Sequence, residues 1–208
     1  MRSGNRDGSR ERGFSMLELS VVLGIIIIIF GIAIGAFQPA IQSAKYDAGM
    51  RQVLDQLRQA REYSLANRRY VQVTFPVVAS ADGPQYEVVI TELNTFLTPN
   101  GGAVNPVLST TPIQFPEQFY VYPGYVDTPD GYGNSGAIVF GGTVGGPAAG
   151  MVFQSDGELV SAATLQPING TVFLGVPGNP QSVRAITVLG STGRVRGWKG
   201  ADARWFQF

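Results

Sequence analysis

The 208-residue chain has equal numbers of basic and acidic residues, 15 of each, and contains neither cysteine nor histidine. Disulfides and thiol chemistry are therefore excluded, and the commonest general base and metal ligand is missing. These absences disfavour an enzyme, and no cofactor is expected. The length is sufficient for one membrane-spanning segment followed by one globular domain.

The charges are distributed unevenly along the chain. Residues 2–12 hold four arginines, residues 38–69 hold six lysines or arginines, and residues 70–183 hold none against eight acids. From Arg184 onward there are five basic residues and one acid. Such asymmetry bears on partners and orientation more than on fold.

The first predicted element is a membrane-spanning helix from Phe14 to Phe37. Its 24 residues carry a single charge, Glu18. They form about 36 Å of helix, enough to cross the hydrocarbon core of about 30 Å. A carboxylate inside a bilayer costs at least about 2.5–3.5 kcal/mol, so Glu18 is a functional candidate. The arginines before the run predict a cytoplasmic N-terminus, with the rest of the chain across the membrane.

Residues 12–18, RGFSMLE, resemble the class III leader of type IV pilins and type II secretion pseudopilins. The resemblance implies that the prepilin peptidase removes the leader, residues 1–13, after Gly13, and that the new terminus, Phe14, is N-methylated. It also implies that Glu18, fifth in the mature chain, pairs with the terminal amine of a neighbouring subunit during assembly. Neither charge is then alone in lipid. The alternative is a plain signal anchor with Glu18 at the membrane interface.

The chain departs from the pilin pattern at Gly35, where family members usually have proline; the proline here is Pro39. Proline clashes with the carbonyl four residues earlier, which is that of Gly35, and glycine weakens a helix. The resemblance implies a stretch that bends or melts during filament packing. The alternative is the ordinary tolerance of Gly and Pro in membrane helices.

Residues 38–69 are predicted to continue the helix as an amphipathic half. Apolar positions at steps of three and four indicate one face that packs on a core. This stripe contains Tyr46, Met50, Val53, Leu57, Ala60 and Ser64, and it is widened by Ala48, Leu54 and Leu65. Charged residues fall mostly on the other sides of the helix.

Residues 70–208 are predicted to form an antiparallel β domain, because period-two alternation begins at Tyr70 and short strands are separated by Gly and Pro turns. Pro76 indicates an edge position or the end of the first strand. The further predicted strands are residues 86–92, 119–122, 137–140, 151–154, 158–163, 171–176 and 183–189, with a tight turn at Asp156-Gly157. Residues 98–150 are expected to be mostly loop.

The likeness to pilins continues in this domain and is specific to GspH/FimT pseudopilins. Arg61 to Phe75 resembles their helix-to-strand junction, and Met151 to Gly157 together with Gly193-Arg194-Val195-Arg196 resembles their later pattern. The resemblance implies a pilin-like α+β fold, in which a long N-terminal helix, membrane-spanning in its first half, packs on an antiparallel β-sheet. Residues 95–148 carry no part of the likeness.

Asp127, Asp130 and Asn134 are the candidate ligands for a metal ion, because Ca²⁺ prefers several oxygen ligands on a flexible loop. Their spacing is not that of an EF-hand, however, and Asp, Asn and Gly are also ordinary turn residues. The sequence therefore predicts no metal site, with calcium at this loop as the alternative.

The C-terminal tail interleaves cations with aromatic rings. Its basic residues are Arg194, Arg196, Lys199 and Arg204, and its aromatic residues are Trp198, Trp205, Phe206 and Phe208. Cations hold phosphates and aromatic rings stack on bases, so this composition suits nucleic acid. In FimT-type minor pilins a Gly-Arg-x-Arg tail is associated with DNA uptake. The favoured alternative is a last strand whose arginines face the acidic sheet and whose aromatic residues pack in the core.

The resemblance implies a structural function: a minor pseudopilin of a type II secretion system, assembled into or at the tip of an envelope-spanning pseudopilus for protein secretion. The expected partners are other pseudopilins or pilins, the prepilin peptidase and methylase, and the bacterial inner membrane. The globular domain is expected to be periplasmic or outside the cell. A FimT-like minor pilin that binds DNA for uptake is the alternative.

Overall fold

A computed structural model describes residues 15–80, 83–93, 106–113, 119, 127–133, 136–140, 143–144, 150–161 and 164–208. These residues form a long N-terminal helix followed by antiparallel β-sheets, which confirms the predicted α+β arrangement. The chain divides into two compact units, Met1–Gln42 and Ser43–Phe208. The leader, residues 1–13, and nearly all of the predicted strand 119–122 lie outside the described residues.

Helix α1 is Met16–Asn67, and its second part buries the predicted stripe. Tyr46, Met50, Val53, Leu57, Ala60 and Ser64 are all buried, and so is Leu54. Ala48 and Leu65 are exposed, so the prediction that they widen the stripe is wrong. With 3.6 residues per turn, Ala48 lies about 160° around the helix axis from Tyr46, on the opposite side.

The C-terminal end of α1 is closed by a residue in the left-handed conformation. Arg68 has a φ of 53°. The amide of Arg69 then donates to the carbonyl of Ser64 at 3.2 Å, which is the bond of a Schellman cap. This cap redirects the chain from the helix into the first strand within three residues.

The first sheet is antiparallel in all its pairings and contains six strands of the described chain. They are β1 (Tyr70–Thr74), β2 (Val77–Ser80), β3 (Gly83–Leu93), β4 (Val107–Pro112), β7 (Met151–Phe153) and β8 (Leu159–Val160). The order is β2-β3-β1-β7-β8, and β4 also pairs with β3. Pro76 lies at the break between β1 and β2, as predicted. Gly157, with a φ of 83°, lies in the predicted turn between β7 and β8.

The second sheet is also antiparallel, and its strands are β5 (Ile138–Phe140), β6 (Thr143–Val144), β9 (Gly170–Val176), β10 (Asn179–Leu189), β11 (Arg194–Ala201) and β12 (Arg204–Gln207). Their order in the sheet is β12-β11-β10-β9-β5-β6. The strands predicted at 137–140, 171–176 and 183–189 correspond to β5, β9 and β10. Strands β2, β4 and β6 were not predicted, and β4 lies in the segment expected to be loop.

One hydrophobic core joins the second part of α1 to both sheets. The helix stripe packs with Phe75 and Phe153 of the first sheet region and with Val172 and Ile186 of the second sheet. A separate cluster contains Phe173, Ala185 and Trp198, with Trp205 packed against it. Adjacent residues of β9 and of β10 belong to different clusters, so both faces of these strands are buried.

An ion pair joins α1 to β10 beside this core. Arg184 has no exposed surface, and its Nε donates to Oδ1 of Asp47 at 2.7 Å. Nη2 lies 2.6 Å from the same oxygen, a charge contact without hydrogen-bond geometry. Nη1 donates to the carbonyls of Gln181 and Val183 at 2.9 Å. The guanidinium is thus compensated by one carboxylate and two backbone carbonyls.

We predict that Asp47→Asn lowers the free energy of unfolding by about 3–5 kcal/mol, because removing one partner of the pair leaves the buried charge of Arg184 without a counter-charge. The matched control is Asp55→Asn. Asp55 lies 3.8 Å from Arg58 in an exposed pair, so its loss should cost less than about 1 kcal/mol. Urea unfolding of the full chain measures both, and equal losses would contradict a special role for Asp47.

Candidate functional site

The first candidate site is the N-terminal end of α1. The carbonyl of Ser15 accepts the amide of Leu19 at 3.1 Å, and its Oγ accepts the amide of Leu17 at 3.3 Å. Ser15 therefore caps the helix, and Glu18 lies in the first turn, where a negative charge is favoured by the helix dipole. Within the described residues the carboxylate of Glu18 has no hydrogen-bond or ion-pair partner. Gly13 and Phe14 lie outside those residues.

The helix that follows Glu18 exposes its apolar side chains. Large residues such as Ile28 and Phe30 are 64% and 63% exposed. This helix is long and apolar enough to cross a membrane. A β-carbon at Gly24, Gly31 or Gly35 would meet no atom within 4 Å, so none of these glycines is required by packing within the described chain.

The predicted flexibility at Gly35 and Pro39 stays a prediction. Helix α1 is continuous through both residues. Pro39 lacks the amide that would donate to the carbonyl of Gly35, so the helix is missing one hydrogen bond at this point. The two residues are therefore placed where the helix lacks one of its backbone hydrogen bonds.

The second candidate site is the basic tail, which forms β11 and β12. Its four predicted cations have different surroundings. Arg196 and Lys199 each have a carboxylate partner, Asp130 and Asp47 respectively. Arg194 and Arg204 are exposed and have no ion-pair partner among the described residues. The tail is thus a pair of strands in which two cations are engaged by the fold and two are available.

Arg196 belongs to a polar network that crosses β11 and β10. Its Nη1 donates to Oδ1 of Asp130 at 2.7 Å, and Oγ1 of Thr187 donates to Oδ2 of Asp130 at 2.5 Å. Nε1 of Trp198 donates in turn to Oγ1 of Thr187 at 2.9 Å. For Arg196 and Trp198 this arrangement agrees with the expected last strand, whose arginine meets an acid and whose aromatic residue packs inside.

Tyr132 lies close to this network. Burial raises the pKa of Tyr132 above its ordinary value of 10.0, and the charge of Asp130 raises it further, while Arg196 and Arg194 lower it. The phenol therefore stays neutral at physiological pH. Any stability that it contributes is present below the unfolded-state pKa and is lost as the pH rises through the folded-state pKa.

Arg194 lies in an open cleft with two helix arginines. The cleft has a volume of about 550 Å³, and Arg58, Arg61, Glu62 and Arg194 contribute its charged side chains. Nε of Arg61 donates to the carbonyl of Thr192 at 2.9 Å, which ties the helix to the β10–β11 connection. The cleft collects three guanidinium groups against one carboxylate, which suits an anionic group.

Arg58 and Arg61 were not predicted as site residues. Their spacing of three residues on a helix, away from the apolar stripe, places both on one side of α1, and this was the available signal. Their proximity to Arg194 was not evident, because only the folded chain brings the β10–β11 connection against this part of the helix.

The glycine of the Gly-Arg-x-Arg segment has a structural reason. Gly193 follows a short 3₁₀ turn, Gly190–Thr192, and has a φ of 61°. A β-carbon there would clash with the carbonyl oxygen of Gly157 and would come within 2.8 Å of the side chain of Arg61. Gly193 therefore allows the closest approach of β11 to the β7–β8 turn, whatever the arginines bind.

The candidate calcium ligands make protein contacts instead. The carboxylate of Asp127 accepts the amides of Thr128 and Gly133, each at 2.8 Å, and Asp130 is bound to Arg196. Asn134 lies outside the described residues. Among the residues that the structure describes, no group of three acidic side chains could hold a metal ion.

Comparison of this chain with models of protein families, with curated proteins and with solved structures found no match.

The two arginines of the tail are predicted to differ in stability. Arg196→Gln should lower the free energy of unfolding by about 1–3 kcal/mol, because it removes a charge-assisted hydrogen bond to a nearly buried carboxylate. Arg194→Gln should change it by less than about 0.5 kcal/mol, since the side chain is exposed. Chemical unfolding followed by tryptophan fluorescence compares the two, and a loss for Arg194→Gln as large as that for Arg196→Gln would be contrary to this description.

Proposed function

We propose that the chain is a pilin-like filament subunit, a minor pseudopilin of a type II secretion system. In this proposal the prepilin peptidase cuts after Gly13, the methylase modifies Phe14, and the mature chain is held in the bacterial inner membrane by the apolar part of α1. Its function is structural, and it joins other pseudopilins in the filament or at its tip. The observation that carries the proposal is Glu18, a carboxylate that has no partner among the described residues and lies in the first turn of an exposed apolar helix.

The apolar part of α1 supports this proposal because it needs a covering. Its side chains from Met16 to Phe37 are largely exposed, and an exposed apolar surface of this extent indicates a membrane or protein interface. A bilayer covers it before assembly, and the equivalent helices of other subunits cover it in a filament. The amphipathic half from Tyr46 to Ser64 needs neither, because the β-sheets already bury its stripe.

Glu18 supports the proposal through its charge. In lipid the carboxylate costs about 2.5–3.5 kcal/mol or more when it is unpaired. The amine released at Phe14 by cleavage lies four residues earlier in the sequence of each subunit. Pairing of Glu18 with this amine of a neighbour compensates both charges, and a subunit in the wrong register would leave both uncompensated. The pair would therefore favour one register of assembly.

We predict that Glu18→Gln, which keeps the shape of the side chain but removes its charge, leaves insertion and cleavage intact and reduces incorporation into filaments. Crosslinking to neighbouring subunits measures incorporation, and the intact mass shows whether the chain starts at Phe14. Glu62→Gln is the matched control, because Glu62 is an exposed acid of the same helix outside the apolar run. Normal incorporation of Glu18→Gln, or a mature terminus other than Phe14, would refute the assignment.

A second candidate function, DNA binding by a FimT-like minor pilin, is favoured by the cleft of Arg58, Arg61 and Arg194. Guanidinium groups pair with phosphate in bidentate geometry, and the groups of Arg58 and Arg194 are exposed. Arg196 and Lys199 are less suited to this role, since each has a largely buried acidic partner, whereas Asp55, the partner of Arg58, is exposed. The candidate site for phosphate is therefore the cleft and not the whole tail.

If the cleft binds DNA, the double variant Arg58→Gln and Arg194→Gln should bind more weakly, and the slope of log affinity against log salt should fall by roughly 0.9 for each phosphate that the variant no longer neutralises. Arg204→Gln is the matched control, because Arg204 is exposed on β12 and is not among the residues lining the cleft. Titration of the full chain in detergent with labelled DNA measures both. Absence of binding at low salt would eliminate this candidate.

A further inference from the structure

The β11–β12 hairpin lies at the end of the Ser43–Phe208 unit where α1 enters it. Gly197 packs against Leu54 and Met50, and two residues later Nζ of Lys199 donates to Oγ of Ser43 at 3.1 Å. Strand β11 therefore runs toward the first residue of the unit. At about 3.3 Å per residue, Ala201 lies a further 6–7 Å along the strand.

This end of the unit carries exposed cations and aromatic rings. We define the entry-end surface as Lys45, Lys199, Arg204, Phe206 and Phe208. Phe206 and Phe208 are 55% and 46% exposed, and the side chain of Lys199 is 36% exposed. Lys45 and Arg204 are exposed and have no ion-pair partner among the described residues. The surface therefore combines apolar rings with available positive charge.

The acids near this surface do not neutralise it. Asp47 is bound to buried Arg184 and lies 3.9 Å from Nζ of Lys199. Asp202 is exposed at the tip of the β11–β12 hairpin. The guanidinium of Arg51, on the other hand, lies 4.7 Å from the ring centre of Phe208 and adds a cation beside the rings. The charges of Lys45, Arg51, Arg184, Lys199 and Arg204 exceed those of Asp47 and Asp202 by three.

The chain also ties this surface to the apolar run. Lys45 follows Phe37 by eight residues, which rise about 12 Å in an α-helix. Each headgroup layer of a bilayer is about 5–8 Å thick, and electrostatic attraction extends about 8–10 Å at physiological salt. If the run from Phe14 to Phe37 spans a membrane, the short connection from Phe37 to Lys45 tethers this surface to the side of the membrane where the run ends.

We propose that the entry-end surface docks on the anionic phospholipid headgroups of the membrane that holds the apolar run. The inference rests on the membrane anchoring in the proposed function. Lys45 and Arg204 supply the attraction to phosphate, and Phe206 supplies apolar contact at the headgroup level. Docking holds the globular unit against the bilayer before the subunit is extracted into a filament.

The absence of cysteine allows a clean test with single labels. The full chain with Ala203→Cys carries a nitroxide at the tip of the β11–β12 hairpin, and the full chain with Ser191→Cys carries it on the exposed β10–β11 connection at the other end of β11. Each is reconstituted in nanodiscs of phosphatidylcholine and phosphatidylglycerol in equal parts, and in nanodiscs of phosphatidylcholine alone. The collision rate of the nitroxide with oxygen, which concentrates in lipid, is compared with its collision rate with a nickel complex, which stays in water. A high ratio of the two rates shows that the label is close to lipid.

The proposal expects the label at residue 203, but not that at residue 191, to approach lipid, and only in the nanodiscs that contain phosphatidylglycerol. Lys45→Gln and Arg204→Gln should each reduce the ratio of docked to free states by roughly fivefold. Arg58→Gln and Arg194→Gln, at the cleft, are the matched controls and should leave the ratio unchanged. Circular dichroism confirms that each variant is folded.

Three results would overturn the proposal, and they differ in scope. If the chain is retained in the nanodiscs but both labels are equally exposed to water, docking is wrong and membrane anchoring stands. If the chain is not retained in lipid at all, the anchoring in the proposed function is wrong as well. Equal approach of the label at residue 203 to both lipid compositions would also overturn the electrostatic basis of docking.

Discussion

One face of α1, from Tyr46 to Ser64, is the surface on which both β-sheets depend. The first sheet and the second sheet place residues in the same core, and this face of α1 supplies the helical residues of that core. Apolar packing alone does not specify how β10 is aligned on the helix. The ion pair of Asp47 and Arg184 does, since it forms in only one register of β10. The apolar first part of the same helix is exposed within the described chain, so one regular helix combines a buried apolar face with an uncovered apolar segment.

The fold divides the basic residues by their function. Arg184, Arg196 and Lys199 are engaged by Asp47 and Asp130 and maintain the packing of β10 and β11. Arg194 and Arg204 are exposed and have no ion-pair partner among the described residues, and Arg58 has only the exposed Asp55. A basic tail therefore does not by itself predict binding to an anionic partner, because acidic residues of the fold can pair with its cations. Here those acids, Asp47 and Asp130, come from distant segments of the chain.

The sequence predicted those features that depend on local periodicity. The buried stripe of α1 recurs at fixed angles around the helix, and β9 and β10 are apolar because both of their faces are covered. A last strand in the tail was expected, but its bounds and its division into β11 and β12 were not evident, because Gly197, Gly200 and three cations interrupt the pattern. Gly197 is explained only by the tertiary packing, in which Leu54 would lie 3.0 Å from a β-carbon.

Of the candidate sites, only the one that a local sequence pattern marks could be predicted. Glu18 stood out because a charge in an apolar run is costly in any fold, but its proposed partner belongs to another chain. The partner of Arg196 is Asp130, 66 residues earlier, and no local pattern indicates such a pair. The cleft likewise combines Arg58 with Arg194, which only the folded chain brings together.

The position of the helix stripe at the start of the globular unit has a consequence for synthesis. Asp47 and its partner Arg184 are 137 residues apart. During translation the amphipathic half of α1 therefore emerges long before β10, the strand that buries it. Until then its apolar side chains are exposed and prone to aggregation, whereas β9, β10, β11 and β12 form successive hairpins from nearby residues. The chain is thus expected to rely on chaperones, or on the membrane itself, through most of its elongation.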